Sequence, residues 1–538
     1  MEKEKKSYIV GILLLLSMIA IPLFNQGIMC GDELTTRFCA MQGWGNFFKS
    51  FMQEQVSKGR TLAVVAALPS YLGFLFSGNQ YFKIVQVASI FLNAFLFAFL
   101  AARLLKNKKF GVMLFVFSLS FLPVSFENTA PNAFNTLFNI PFSFLLLSYI
   151  LFLDYIDWGS KKKLAVSMIL LFITEMSYEA FIALTPVYFF ILLYRINIKD
   201  DFKKILLYLS VPFLVSCLYL AVYVIFAKIN VSNYDGNQMG IYGLHSSLEI
   251  IWHLFKAALP GFFVWGSDKY KFLLRRYMDF SAGEAVRIGI LAVVFICIIG
   301  HLVRKKEEDT SKTVGKEFSV IVCGLVCMIL PSLPIAVSEM YQRAVGENGF
   351  VALPVTYFSY YFAVFVVCYL IWFVFRKNWQ TVVLLAMFTV MLLGVQFSNG
   401  VFSEEQNRNF DRLEQIENCL KTDVFRQFGD TSFAAEDIFE TVNSMAFYDS
   451  YWTQYSNYLG NQTEILNKEG SENENRMYLR YNKMYIWYQD DLYVLTYDMV
   501  MGKDLVIITD QNCSFQEYKD PKTDHGLYVY HFKKSELQ

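Results

Sequence analysis

The stretch YFKIVQVASIFLNAFLFAFLAARLLKNKKFGVMLFVFSLSFLPVSF, residues 81–126, decides the class of fold. Two long apolar runs flank a short segment holding Arg103, Lys106, Lys108 and Lys109. Each run approaches the ~20 residues that cross a bilayer as helix. A short basic loop between two such runs resists translocation, so the pair reads as a helical hairpin with its loop on the inner side.

Working outward, the same pattern recurs. Apolar runs also lie at 8–24, 140–153, 164–174, 180–194, 205–227, 286–303, 318–337, 355–375 and 382–397. With the opening pair they make eleven candidate spans. The first follows a basic start and reads as a span rather than a signal peptide, because no small-residue cleavage site follows it. Eleven spans beginning inside put the basic clusters at 103–109, 161–163, 195–204, 304–316 and 376–377 all inside, with the N-terminus inside and the C-terminus outside. Two further apolar stretches, about 61–77 and 251–282, break this alternation if they cross, and read as surface or re-entrant helices on the outer face.

Composition agrees. Hydrophobic residues are 55% and charged ones 17% of 538, against roughly 25% charged in a soluble domain. The 53 Phe and 33 Tyr exclude a disordered chain. Lys plus Arg and Asp plus Glu are 47 each, so no basic field exists to hold nucleic acid. After Gly400 the chain turns polar, and 400–538 reads as a small α+β domain outside the membrane. A helix is expected over 403–426, strands over 477–489, 492–497, 505–509 and 526–532, and turns at 482–483, 489–490 and 502–503. The expected architecture is therefore an α-helical polytopic membrane domain over 1–399 followed by that module. Nine cysteines show no C-x-x-C spacing and argue against zinc. On this topology Cys30 and Cys39 share an outer loop and Cys419 and Cys513 an outer domain, so either pair is open to disulfide formation.

The uncommon polar residues fall in the outer loops. The first, 25–60, contains Asp32 and Glu33 just past the first span, then Arg37, Lys58 and Arg60. The third is TEMSYEA, 174–180, with Glu175 and Glu179 four residues apart. The fifth includes Glu339, Gln342 and Arg343. Acids in outer loops are ordinarily just solvated, and Glu175 and Glu179 could equally cap helices or pair with cations. The adjacent pair Asp32-Glu33, directly beyond a span and followed by basic residues, forms a more compact polar site.

With these features the chain resembles the GT-C superfamily of polytopic membrane glycosyltransferases. The features are an inside N-terminus, a long first outer loop with an acidic pair, non-crossing helices after it and a C-terminal outer domain. Within that group it is similar to bacterial serotype-converting (type II) glucosyltransferases, in which Gly-Arg follows the acidic motif, as Gly59-Arg60 does here. The resemblance implies transfer of a sugar from a polyprenyl-phosphate donor to a cell-surface glycan or lipid-linked acceptor, on the outer face of the plasma membrane. In such a reaction a lipid phosphate leaves without a general acid but needs cations. Arg60 and Arg343 are the first candidates, with Lys58 and Arg37 behind them. The acceptor hydroxyl needs a base, and a carboxylate opposite the leaving group leads to inversion. Asp32 is the first choice and Glu33 the second. Glu175, Glu179, Glu339 and Gln342 are placed to orient the acceptor or assist a metal. No spacing settles whether a divalent cation, Mg or Mn, takes part. A surface-polysaccharide polymerase or ligase remains the main alternative. A lipid-linked-sugar transporter is disfavoured because the span centres are almost free of charge.

Overall fold

The computed structural model describes residues 2–24, 31–75, 83–123, 136–196, 198–229, 243–262, 281–304, 314–347, 352–374, 378–436, 449–466, 468, 474–480, 483–498 and 522–533. The chain divides into two compact units, Met1–Gln26 with Cys39–Glu404, and Gly27–Phe38 with Glu405–Gln538.

Nineteen helices, numbered in chain order, are described: α1 Glu2–Phe24, α2 Gly31–Met41, α3 Trp44–Ser57, α4 Ala67–Leu75, α5 Ile84–Leu104, α6 Lys108–Ser120, α7 Asn139–Trp158, α8 Lys161–Glu175, α9 Val187–Arg195, α10 Ile198–Ile229, α11 Gly243–Ala257, α12 Ala282–Arg304, α13 Val314–Ile329, α14 Ser332–Ala336, α15 Glu339–Gly346, α16 Pro354–Tyr369, α17 Asn378–Lys421, α18 Asp423–Phe428 and α19 Asp449–Tyr458. Six segments are long and apolar enough to cross a membrane: Ile84–Leu104, Asn139–Trp158, Lys203–Phe226, Ala282–Val303, Pro354–Phe373 and Val382–Glu404. On α10, Leu207, Phe213 and Leu214 are each more than 60% exposed, a surface that only lipid or protein could cover. The chain is a helical membrane protein.

The other five apolar runs form shorter helical segments, two of them in two pieces. Tyr8–Phe24, the apolar part of α1, and Phe318–Ile329 are shorter apolar helical segments. The run at 110–126 gives α6 and that at 164–174 gives α8, helices of 13 and 15 residues. The run at 180–194 is not one helix: a 3-10 turn, Glu179–Leu184, is followed by Pro186 and only then by α9. The run at 318–337 is likewise broken at Pro331, which ends α13 and opens the one-turn α14. Proline has no N–H to continue a helix, and a composition window does not register that loss. Of the expected non-crossing stretches, 63–75 forms a 3-10 turn and α4. Residues 263–280 lie outside the described part.

The first unit is centred on α16, buried on nearly every side chain. It is bonded to its neighbours by polar side chains, the glue available where lipid cancels the hydrophobic drive between helices. Asn93 Nδ2 of α5 donates to Tyr357 OH at 3.1 Å. Tyr360 OH donates to Ser118 O of α6 at 3.0 Å. Arg287, one turn into α12, is 5% exposed. Its Nε meets Glu284 Oε2 at 2.8 Å, Nη1 donates to Met18 O of α1 at 2.8 Å, and Nη2 donates to Gln396 O of α17 at 3.3 Å.

Three expected inner clusters meet at one end of this bundle. Arg103 pairs with Asp154 of α7, to which Lys163 Nζ of α8 also bonds at 2.6 Å. Arg195 Nη2 of α9 donates to Arg103 O at 2.9 Å. The clusters at 304–316 and 376–377 lie largely or wholly outside the described residues.

The second unit has seven described strands, β1 Ser432–Glu436, β2 Glu464–Leu466, β3 Arg476–Arg480, β4 Lys483–Tyr488, β5 Asp491–Thr496, β6 Lys522–Asp524 and β7 Leu527–Phe532. Their order is β2-β1-β3-β4-β5-β7-β6, with β1 parallel to both neighbours and every other pair antiparallel. One face buries Tyr485, Leu492, Val494, Tyr530 and Phe532. On the other, Tyr488 and Tyr493 meet Phe428 of α18 at ring distances of 4.6 and 5.5 Å. The stretch 477–489, expected as strand with a turn at 482–483, holds two antiparallel strands, β3 and β4, and the turn expected at 489–490 is present, with Gln489 at φ 53°. The strand expected at 505–509 and the turn at 502–503 lie outside the described residues, and the turn at 482–483 does so at Asn482. Gly400 is not a break: α17 runs through it from Asn378 to Lys421.

Candidate functional site

The first unit gathers polar groups at the far end of α8 from its lysines, about 21 Å along the helix axis. The local fold begins with α3, which stops at Ser57. Gly59 follows at φ +82°, and a Cβ there would stand 2.8 Å from the Tyr223 ring of α10. Only glycine makes this turn without strain. The turn returns the Arg60 N–H to Gln55 O at 2.9 Å. It also delivers the guanidinium to the 174–180 loop, where Arg60 Nε donates to Glu179 Oε2 at 2.8 Å and Nη2 to Glu179 Oε1 at 2.7 Å. The Arg60 side chain is 5% exposed and that of Glu179 23%. The cation lies 4.8 Å from the Tyr178 ring centroid and 5.8 Å from that of Phe138, close enough for cation–π attraction. Backbone bonds fix the two segments together: Leu62 N–H donates to Met176 O at 3.2 Å, and Ser177 Oγ donates to Leu62 O at 3.1 Å.

Behind this pair sits Glu175, 1% exposed. Its Oε1 accepts from Thr185 Oγ1 at 2.9 Å and from Ser216 Oγ of α10 at 2.5 Å. Its Oε2 has no hydrogen-bond partner among the described residues, and neither has the buried Oε1 of Gln55. A buried acceptor without a donor is uncommon enough in folded proteins to require a reason.

The other expected residues are placed differently. Lys58 Nζ bonds Glu54 Oε1 at 2.6 Å in an i,i+4 pair near solvent. Arg343 pairs with Glu339 one turn away on α15. Gln342 Nε2 donates to Ala336 O at 2.8 Å and to Ser247 Oγ at 3.3 Å, stitching α15 to α14 and α11. α14 in turn packs on the Glu179–Leu184 turn.

Asp32, Glu33 and Arg37 belong to α2, and residues 27–38 belong to the second unit. Glu33 is 1% exposed. Arg37, an expected phosphate ligand, has both terminal nitrogens on Glu417, with Nη2 3.0 Å from Oε2. Tyr451 OH adds a bond to Glu417 Oε1 at 3.2 Å. Burial works against the charge on Arg37, but the Glu417 carboxylate outweighs it, so the guanidinium is held above its ordinary pKa. The pair is a structural tie, and a phosphate at Arg37 would have to displace Glu417.

Sequence reasoning missed Arg287, Asp154 and Glu417. Arg287 carries a visible signal, a cation just inside the start of an apolar run, whereas Glu417 is one acid among many on a polar helix. No three His, Cys, Asp or Glu side chains cluster as a metal site among the described residues. Among them no disulfide forms; Cys39 and Cys419 are free thiols, and their expected partners Cys30 and Cys513 lie outside the described part. No family model matches the chain, and no curated protein or solved structure matches it.

Proposed function

We propose that the protein is a membrane glycosyltransferase that moves a sugar from a polyprenyl-phosphate donor to a surface glycan or lipid-linked acceptor on the outer face of the plasma membrane. The observation supporting this reading is the Gly59-Arg60 turn, which sets a guanidinium against the acidic 174–180 loop at the bundle end remote from the basic clusters. A guanidinium offers a phosphate two parallel N–H donors, and the leaving phosphate needs that charge as the glycosidic bond breaks. A phosphate arriving at Arg60 exchanges with Glu179. The bare acceptors Glu175 Oε2 and Gln55 Oε1 suit a ligand rich in hydroxyl donors. Asp32, the first choice from the sequence, serves as base, on its position in the first outer loop. Glu179, Glu339 and Gln342 orient the acceptor.

Mass analysis of surface glycans with and without the gene should reveal one missing sugar. An unchanged glycan profile rejects the function. Within the site, Arg60→Lys keeps the charge and loses the fork, and one to two charge-assisted hydrogen bonds correspond to about a 10- to 100-fold rise in donor KM. A donor KM equal to that of the native protein would reduce Arg60 to a clamp on Glu179.

A further inference from the structure

The helix that bears the acidic pair does not group with the helices that precede and follow it. α2 lies between the first apolar helix and α3 in sequence, yet residues 27–38 cluster with 405–538. Eleven residues is below the ~12–15 at which a helix holds itself in water. α2 also contains Gly31, Thr35 and Thr36, poor helix formers. Its shape therefore depends on what it docks against.

Two contacts at its C-terminal half do the docking. Arg37 grips Glu417 of α17 through both terminal nitrogens, the side chains being 5% and 4% exposed, and Tyr451 of α19 bonds the same carboxylate. The neighbouring Phe38 ring lies 5.8, 6.0 and 5.6 Å from the rings of Tyr451, Tyr455 and Tyr458. A bidentate ion pair fixes rotation about the helix axis as well as distance, which an aromatic contact alone does not. Asp32 and Glu33 stand five and four residues before Arg37, about one turn away along the same helix.

We infer that the C-terminal unit is the holder of the first-loop helix, and that Arg37 and Glu417 are positioning residues that set where the Asp32-Glu33 pair stands. This rests on the reading of Asp32 as the base. It gives the C-terminal unit a part in the reaction without requiring it to touch the sugar.

The native thiol of Cys39, two residues past Arg37 and half-buried, reports on the docking. In the full-length protein Glu417→Gln removes the charge and keeps the shape. Alkylation of Cys39 by a membrane-impermeant maleimide, followed on its own peptide by mass spectrometry, should then run at least fivefold faster. The kcat for sugar transfer should fall at least tenfold while donor KM stays within twofold. Arg37→Glu should behave alike, and the reciprocal pair Arg37→Glu with Glu417→Arg should restore both readouts to within threefold of native. Unchanged labelling in both single variants overturns the holding role. Faster labelling with native kcat overturns the positioning role. If Asp32→Asn retains transfer, the base assignment and the positioning role fall together, while Cys39 labelling still decides the holding role.

Discussion

Asp32→Asn should lower kcat for sugar transfer by about 10²- to 10⁴-fold, the range set by removal of a general base, with insertion and yield unchanged. Asparagine matches aspartate in size and hydrogen-bonds similarly, so the change isolates proton acceptance. An acceptor hydroxyl has little nucleophilicity until its proton is taken. A lipid phosphate, already a good leaving group, cannot compensate for that deficit. Glu33 is the internal control. At 1% exposure it is buried, and a carboxylate so placed meets an acceptor hydroxyl only if α2 moves. Glu33→Gln should therefore show itself in protein yield and Cys39 labelling before it shows in kcat. Transfer within threefold of native for Asp32→Asn would remove the base from α2.

The second large effect concerns stability. Arg287→Met is expected to destabilise the first unit by about 3–5 kcal/mol, because it deletes one partner of a buried ion pair and strands the rest. The Glu284 carboxylate loses its Nε donor, and Met18 O and Gln396 O lose theirs. Gln396 itself donates to Ser120 O of α6 at 2.8 Å, so the damage reaches four helices, α1, α6, α12 and α17. Thermal unfolding of the detergent-solubilised protein should show the loss, and Arg287→Lys should fall between, since one ammonium replaces the charge but not the fork. A melting temperature within a degree or two of native would mean that solvent or lipid satisfies these groups instead.

Features that act locally were legible in the sequence. An apolar run and the basic cluster beside it sit within a few residues of each other, so the helices α5 and α6 and the short loop between them follow from a short window. Alternation in β4 and β5 is equally local, and Gln489 and Asp490 mark the turn between them. The breaks at Pro186 and Pro331 were available but were outweighed by the apolar letters around them. The continuity of α17 was hidden because polarity changes at Gly400, while backbone hydrogen bonding is indifferent to polarity. In the site, Arg60 and Glu179 could each be named from the sequence. Their pairing, across 119 residues, could not, since nothing local records which loop meets which. The pairing of Arg37 was hidden for the same reason: its partner Glu417 lies 380 residues away.

The knot of Arg103, Asp154, Lys163 and Arg195 has a meaning in time as well as in space. During insertion, on the proposed orientation, each cation acts alone on the emerging chain, and acidic residues scarcely enter the decision. Asp154 and Asp157 could thus be written into the end of α7 without confusing the translocation machinery. Once the helices assemble, those acids collect the cations that directed them there. On that orientation the charges that steer biogenesis serve again as rivets, and a chain in which one helical pair alone was inverted would leave Arg103 and Asp154 on opposite sides, with nothing to fasten them.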